Sequence, residues 1–365
     1  MDVNRRTAML AAGAALGGAL AGSSARGAAP ARAAIRRIAV EEAWSIPEHM
    51  NALGALARSS WTNLDIRQLE GASERSENGV RLIDVEDERL RRMDEDGVAM
   101  QVLSLTSPGV QVFDPDTAVA MAALANDRLA ETIARHPARF AGLASFAPQD
   151  PGRAVREMER AIGRLKLNGF IVNSHTENAY LDQPRFWPIL EAAEALDAPI
   201  YIHPRSPADT IAQPFRDYAM HAAIWGFAIE TGTHAMRLIL SGVFDRFPKL
   251  RIVLGHMGEN IPFHLWRSDH WFDRRRSIQR SSLKPSEVFR RNFAITTSGV
   301  QHSPALRYAI EVVGADSIMF AIDYPYEESR PAVAFMDSVD ISEEDRAKIY
   351  HRNAERLFRL PPEAA

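Results

Sequence analysis

The sequence predicts a (β/α)8 barrel of the TIM type, for three reasons. Eight short apolar segments alternate with stretches that have helical periodicity. Most of these segments show little alternation of apolar and polar residues, which is typical of strands covered on both faces. Several end at a side chain that can bind a metal, as strands do at the carboxyl end of such a barrel. A doubly wound open sheet is the alternative, but no glycine-rich phosphate loop follows any segment.

The eight predicted strands cover residues 38–40, 99–105, 140–146, 169–172, 200–202, 252–254, 293–297 and 318–322. Helices are predicted between them, among others at 117–134, 152–165, 186–196 and 306–313. Asp116 and Asp150 stand where N-caps are expected, and Pro151 and Pro184 suit the first turn of a helix. Residues 47–79 are polar and irregular, which predicts a long loop after the first strand, over the barrel mouth or at a subunit interface.

Composition excludes several classes of protein. The chain has 365 residues, a net charge of −4, and 46% hydrophobic and 25% charged residues. This balance is typical of a globular protein and gives no signal for binding nucleic acid. The chain has no cysteine, so disulfides, thiolate nucleophiles and cysteine-bound metals are excluded. Any metal must have nitrogen and oxygen ligands, which suits zinc, manganese or magnesium.

The first 33 residues resemble an export signal. Arg5 and Arg6 form a twin-arginine pair before an Ala/Gly/Leu stretch at 8–22, and small residues at 31–33 or 23–25 offer a cleavage site. We therefore expect a Tat signal at 1–33, a single domain at 34–365 and a periplasmic or exported protein. The alternative is an unprocessed alanine-rich leader on a cytoplasmic protein. The apolar stretch is too short and glycine-rich to span a bilayer, and no other segment approaches that length.

Four predicted strands run into a residue with metal-binding or proton-transfer chemistry: Glu41, His203, His256 and Asp323. Each alone has an ordinary explanation, such as a solvated carboxylate, a structural histidine or an N-cap. Together they predict one mixed nitrogen and oxygen site built by folding. Glu259 follows His256 by three residues, so a helix starting there would place it beside the imidazole.

The motifs around these residues resemble a known family. Glu41-Glu42-Ala43, the segments 202–204 and 255–259, and Asp323-Tyr324-Pro325 are similar to the metal-dependent decarboxylases related to the amidohydrolases. The segments 173–176, 180–182, 226–232 and 323–326 resemble the 5-carboxyvanillate decarboxylase branch most. The resemblance covers nearly the whole chain after the leader and implies the amidohydrolase type of barrel.

The resemblance implies a divalent metal held by Glu41, His203 and Asp323, without an organic cofactor. Many relatives have a metal-binding histidine where this chain has Ala43, and the carboxyvanillate branch also lacks it. The missing nitrogen ligand favours a harder ion, so Mn²⁺ is expected, with Zn²⁺ or Mg²⁺ as alternatives.

The implied reaction is non-oxidative decarboxylation of a small aromatic acid whose carboxylate lies ortho to a hydroxyl. Asp323 would protonate the ring carbon, with His256 and Glu259 as its partners, and CO₂ would leave. The substrate-binding residues implied by the resemblance are Arg267, Tyr326, Trp225, Arg75 and Asn173. His175 and His234 are expected to be structural, and the family resemblance suggests a homodimer or homotetramer.

Two other functions share these features. A metal-dependent hydrolase, such as a lactonase or amidohydrolase, would use the same barrel and metal with water as the nucleophile. An exported binding protein could retain the same residues in an inactive site, although the full set of metal and proton residues argues against it.

Overall fold

The computed structural model describes residues 35–58, 64–65 and 75–362. Its eight strands form one parallel sheet in which each strand pairs with the next. The chain after the last strand meets the first strand through a bond from Val40 N–H to Phe320 O of 3.1 Å, which brings the two edges together. The predicted barrel is therefore confirmed. The strands are β1 (Ile38–Trp44), β2 (Met100–Leu105), β3 (Phe140–Ser145), β4 (Gly169–Asn173), β5 (Ile200–His203), β6 (Ile252–Leu254), β7 (Phe293–Thr296) and β8 (Ile318–Met319).

The helices surround this sheet and begin at the caps that the sequence offers. Asp150 caps its helix by accepting from Arg153 N–H over 2.9 Å, as predicted. The helix predicted at residue 117 is instead capped by Asp114, whose carboxylate accepts from the backbone of both Asp116 and Thr117. The α-helices of the described residues are Pro47–Ala57, Glu77–Ile83, Glu88–Asp96, Pro115–Arg135, Pro151–Gly163, Trp187–Ala195, Gly226–Leu240, Val243–Arg246, Ile261–Arg274, Pro285–Asn292, Ser303–Val313, Ser329–Ser338, Glu343–Ala347 and Asn353–Phe358.

Alternate residues of each strand pack in two separate apolar layers, one inside the barrel and one beneath the helices. On β1, Ile38 and Val40 belong to the inner layer, whereas Ala39 belongs to the outer layer. On β5, Tyr201 points inward and Ile200 and Ile202 point outward. Because both faces are buried, the strands look uniformly apolar in sequence although their side chains still alternate.

The segment after β1 differs from the long loop predicted for residues 47–79. It opens with the helix Pro47–Ala57, which has proline at its first position and buries His49, Met50 and Leu53. Leu64 and Asp65 are also buried. The prediction of an irregular segment is wrong for this helix, because buried contacts outweighed the polar appearance of the sequence. Much of the remaining segment lies outside the described residues.

Most strand ends lie within one residue of the prediction, but β1 and β8 end three or more residues away from it. β8 stops at Met319 instead of residue 322, because the backbone beyond it bonds to side chains: Thr297 Oγ1 accepts from Ala321 N–H over 3.1 Å, and Glu42 accepts from Ile322 N–H over 2.9 Å. β1 extends to Trp44, with a shift in its register against β2 between Ala39 and Glu42. Glu41 therefore lies within β1 and not after it.

The leader predicted at residues 1–33 lies outside the described residues. Within the part of the chain that the structure describes, no helix has the length and apolar character needed to cross a membrane.

Candidate active site

Glu41 forms the centre of the site. Its residue is 2% exposed on the inside of the barrel. One carboxylate oxygen, Oε2, accepts hydrogen bonds from Thr296 over 2.8 Å and from Tyr201 and Ser298, whereas Oε1 is buried without a hydrogen-bond partner. Burial by itself would raise the pKa of Glu41, but nearby His256 and His203 and the hydroxyl donors outweigh it and lower the pKa. The carboxylate is therefore charged at neutral pH.

The predicted metal ligands come together in space. Ligand atoms of Glu41, His203 and Asp323 lie within 4.8 Å of one another. His203 Nδ1 lies 2.8 Å from Pro204 O, so this nitrogen carries the proton and Nε2 is left facing Glu41 Oε1 at 3.6 Å. A buried carboxylate oxygen without a hydrogen-bond partner, beside an imidazole nitrogen and a second carboxylate, fits a divalent cation. The structure thus supports this set of ligands, and with two carboxylates to one nitrogen it suits manganese.

His256 and Glu259 are also paired as predicted, although the backbone between them is not the expected right-handed helix. His256 Nδ1 lies 2.7 Å from Glu259 Oε1, and His256 Nε2 lies 3.6 Å from Asp323 Oδ2. The five residues at 256–260 all have positive φ, from 48° to 79°, which makes a left-handed turn. Such backbone is disfavoured for residues other than glycine and is typical of functional sites.

The charges around His256 and Asp323 favour a shared proton. Burial would lower the pKa of His256, but Glu41 and Glu259 raise it well above its ordinary value. Burial raises the pKa of Asp323, with Glu41 adding to the rise and His256 opposing it. Both groups are therefore shifted towards their protonated forms, which suits a proton donor and its supplier.

Glu42 is a buried residue that contacts the backbone of Asp323, and no role was predicted for it from the sequence. Its side chain is fully buried and accepts from the N–H groups on both sides of Asp323: Ile322 at 2.9 Å and Tyr324 at 3.2 Å. Asp323 itself has φ of 78°, a strained value that these two bonds hold in place. Burial raises the pKa of Glu42 to about 8. A second glutamate inside an apolar strand was the signal in the sequence.

A cavity of about 630 Å³ opens above the site, lined among others by His203, His256 and Asp323. Tyr326 lines it too, and its hydroxyl lies 2.6 Å from Thr106 Oγ1. Phe227 also lines this cavity, and its neighbour Trp225 lines a different one, of about 1140 Å³.

The other predicted substrate-binding residues do not line the site cavity. Arg267 is exposed on the helix Ile261–Arg274, and Arg75 is exposed next to Ser76 at the cavity edge. Asn173 is buried at the end of β4, next to His203 in register. Among the described residues that line the cavity there is no arginine or lysine. The substrate roles of these three residues therefore stay predictions.

His175 and His234 belong to buried hydrogen-bond networks away from the metal ligands. Leu181 N–H donates to His234 Nε2 over 3.0 Å, and burial lowers the pKa of His234 to about 3. His175 Nε2 lies 3.2 Å from Ser206 O, and burial again lowers its pKa. Both imidazoles are neutral, in agreement with the structural role expected for them.

The fold and the site together define a metal-dependent barrel enzyme, and comparison with known proteins places it in a family. The model of the Amidohydrolase family matches residues 49–360, so the chain belongs to this family. The matched region begins after Glu41 and contains the other site residues.

The relatives include aromatic acid decarboxylases of the same size. The γ-resorcylate decarboxylase of a Polaromonas species is 38% identical over 338 residues, which cover 89% of this chain and 98% of that protein. A crystal structure of 5-carboxyvanillate decarboxylase from Sphingomonas paucimobilis is 50% identical, with a TM-score of 0.88, and covers 90% of this chain and all of that one (100%). Another 5-carboxyvanillate decarboxylase, from Novosphingobium aromaticivorans, was solved with manganese and 4-hydroxy-3-methoxy-5-nitrobenzoic acid. It is 36% identical, with a TM-score of 0.86, and covers 90% of this chain and 97% of that one.

These findings confirm the resemblance seen in the sequence. Three expectations agree with them: the amidohydrolase-type barrel, the class of carboxy-lyase, and a manganese-type metal site.

Proposed function

We propose that this protein is a non-oxidative, metal-dependent decarboxylase of an ortho-hydroxy aromatic carboxylic acid, of the 5-carboxyvanillate or dihydroxybenzoate type. The observation that carries the proposal is the meeting of a metal-ligand set with a proton-transfer pair at Asp323. Its carboxylate belongs to the ligand set and also lies 3.6 Å from His256 Nε2. The relatives that catalyse such decarboxylations span nearly the whole chain.

Glu41, His203 and Asp323 would hold the divalent ion, with Mn²⁺ as the expected metal. When bound, the ion supplies a positive centre that orients the substrate carboxylate and its ortho oxygen and draws charge from the ring. The protein excludes water from Glu41, since this carboxylate and the strands around it are buried. Phe227 offers a face for the aromatic ring in the cavity.

Asp323 transfers a proton to the ring carbon that bears the carboxylate. The new C–H bond forms with ring π electrons and interrupts aromaticity. The bond from the ring to the carboxylate then breaks, its electron pair returns to the ring, and CO₂ leaves. His256 returns a proton to Asp323, while Glu259 stabilises the imidazolium. The reaction consumes no oxidant, reductant or organic cofactor, and the proton is the one species that must be supplied.

Further residues would contact the carboxylate and the other ring substituents of the substrate, and of these Tyr326 lines the cavity. We include Tyr326 as a hydrogen-bond partner, Arg75 and Arg267 as candidate carboxylate-binding residues, and Trp225 and Asn173 as supporting residues. An arginine fork suits a carboxylate in geometry and charge. Arg267 is exposed and could serve substrate only across a subunit contact or after a rearrangement.

The test uses metal-free protein with Mn²⁺ added back and a panel of ortho-hydroxybenzoates, including 5-carboxyvanillate and 2,6-dihydroxybenzoate. We expect loss of substrate absorbance with release of one CO₂ per molecule, dependent on the metal. Replacing Asp323 by Asn should abolish turnover, since the amide cannot donate the proton. Failure on every acid of the panel would contradict the proposed substrate class while leaving the fold assignment unaffected.

A hydrolase on the same barrel is distinguished by the products. It would consume one water and release no gas, so lactone and amide substrates tested in parallel separate the two activities. An inactive binding protein would show no turnover of either kind in the wild type.

We also propose a cellular location and an oligomeric state for this protein. The twin-arginine pair Arg5-Arg6 supports export through the Tat route to the periplasm, which cell fractionation with and without an Arg5→Lys and Arg6→Lys exchange tests. Large apolar side chains are exposed at Phe263, Trp266 and Trp271, which supports a homodimer or homotetramer. Light scattering in solution measures that state.

A further inference from the structure

Three hydroxyl groups surround one oxygen of the Glu41 carboxylate. Thr296 Oγ1 donates to Oε2 over 2.8 Å, and the hydroxyls of Tyr201 and Ser298 donate to the same oxygen. All three donors are at most 1% exposed, so water does not compete for these bonds. Each hydroxyl has one proton to donate and lies within hydrogen-bonding distance of Oε2. Thr296 Oγ1 also lies 2.9 Å from Ser298 Oγ and 3.2 Å from the Tyr201 hydroxyl.

The other oxygen of the same carboxylate has no such support. Oε1 is buried without a hydrogen-bond partner and faces His203 Nε2 at 3.6 Å and His256 Nε2 at 3.8 Å. A methyl group at Gly255 would come within 2.6 Å of Oε1 and 2.9 Å of Oε2, so the backbone of Gly255 packs directly against this carboxylate. The carboxylate therefore has little freedom to rotate and to exchange its two oxygens.

The structure assigns Tyr201, Thr296 and Ser298 as positioning residues that saturate Oε2 and leave Oε1 as the one metal-binding atom of Glu41. This inference rests on the proposed metal-dependent function and extends it to residues outside the ligand set. A carboxylate held in this way would bind an ion through one oxygen, which would leave room at the ion for the substrate.

Ser298 has a second contact that connects the ligand to the proton relay. Its Oγ accepts from the backbone N–H of His256 over 3.1 Å while it donates to Glu41. One side chain thus sets both the metal ligand and the start of the left-handed turn that carries Glu259. The arrangement depends on the barrel, because Glu41, Tyr201 and Ser298 come from β1, from β5 and from the chain after β7.

The experiment measures Mn²⁺ binding to metal-stripped protein by isothermal titration calorimetry, in the wild type and in the variants Ser298→Ala and Tyr201→Phe. Each variant removes one donor and changes the volume little. Residues that orient a metal ligand typically alter metal affinity by about 10–100-fold, so we expect the dissociation constant to rise by that factor in each. The double variant should bind Mn²⁺ more weakly than either single variant.

Tyr350→Phe is the matched control. Tyr350 is also a buried tyrosine whose hydroxyl donates to a carboxylate, Asp337 Oδ1 at 2.6 Å, but it lies beneath the helices and away from the site. We expect its Mn²⁺ affinity to stay within about 2-fold of the wild type, far from the range of ligand-orienting residues. The thermal unfolding midpoint of each metal-free variant identifies any variant that does not fold. In that case the Mn²⁺ affinity of the other variant tests the inference.

The outcomes separate this inference from the proposed function. If the wild type binds Mn²⁺ and both variants bind it equally well, the three hydroxyls do not position Glu41 and the inference is overturned, while the decarboxylase proposal stands. If the wild type binds no divalent ion, this inference and the decarboxylase proposal fail together. Weaker binding in Ser298→Ala and Tyr201→Phe but not in Tyr350→Phe supports the inference.

Discussion

Replacing Glu259 by Gln should change the pH dependence of catalysis more than its maximum rate. Glu259 Oε1 lies 2.7 Å from His256 Nδ1, and the glutamate side chain is only 1% exposed. Glutamine keeps the size of the side chain but removes the negative charge that stabilises the imidazolium. With a metal at Glu41 the charge of that carboxylate is compensated, so Glu259 becomes the main support of protonated His256.

The expected magnitude follows from the geometry. An opposite charge within about 4–6 Å shifts a pKa by about 1–3 units, which corresponds to about 1.4–4 kcal/mol. The side chain of His256 is 23% exposed, so solvent screening reduces the effect and the lower half of the range is expected. Because protonated His256 is the active form, activity falls as pH rises through its pKa. Lowering that pKa moves the alkaline limb of the profile to lower pH.

The assay is kcat/KM against pH from about 5 to 10, followed by the loss of substrate absorbance in the presence of Mn²⁺. We expect the alkaline limb of Glu259→Gln to lie about 1–2 units below that of the wild type, with the two profiles approaching each other at acid pH. Glu259→Asp keeps the charge, so its alkaline limb should fall at nearly the same pH as that of the wild type. An equal loss of rate at every pH would refute the proposed support of His256 by Glu259.

Three further predictions concern buried polar groups. Glu42→Gln should reduce kcat by about 10–100-fold and change KM much less, because one of the two N–H groups beside Asp323 loses its acceptor. Steady-state kinetics test this prediction, and an unchanged kcat would contradict it. His234 has a pKa of about 3 in the fold and about 6.5 when unfolded, so its stabilising effect is present above pH 6.5 and is lost below it. Between pH 7.5 and 5.5, the free energy of unfolding of the wild type should therefore fall by about 1.4 kcal/mol more than that of His234→Gln, as measured by urea titration. An equal fall in the two proteins would count against a neutral buried imidazole. Arg205→Ala should lower the free energy of unfolding by about 3–5 kcal/mol, because it removes the guanidinium that pairs with the fully buried Asp65. A loss below about 1 kcal/mol would show that the pair adds little.

The sequence allowed the barrel to be predicted because its evidence is local. Each strand is a short apolar run, and each of Asp150 and Pro151 marks the start of a helix without reference to the rest of the chain. The same local information placed His203 at the end of a strand and Asp323 soon after one. In a barrel of parallel strands these positions converge at one end, so fold class and ligand set could be inferred together.

Other features could not be predicted because they depend on contacts between distant segments. The irregular appearance of residues 47–79 concealed the helix Pro47–Ala57, whose buried face packs on other parts of the chain. The predicted strand at 318–322 ends early because Glu42, some 280 positions away in sequence, takes the backbone N–H of Ile322. The exposure of Arg267 is likewise a property of how its helix packs, which no local pattern records.

Sequence alone thus determined the order of the strands, the types of ligand and the absence of cysteine chemistry. Only the tertiary structure decided which oxygen of Glu41 is free to bind a metal and which backbone N–H groups donate to Glu42. Residue identity supplies the chemical groups, whereas the direction of each hydrogen bond depends on the donors that other strands bring to it. The hydroxyls of Tyr201 and Ser298 come from β5 and from the chain after β7, so their effect on Glu41 appears only once the barrel has formed.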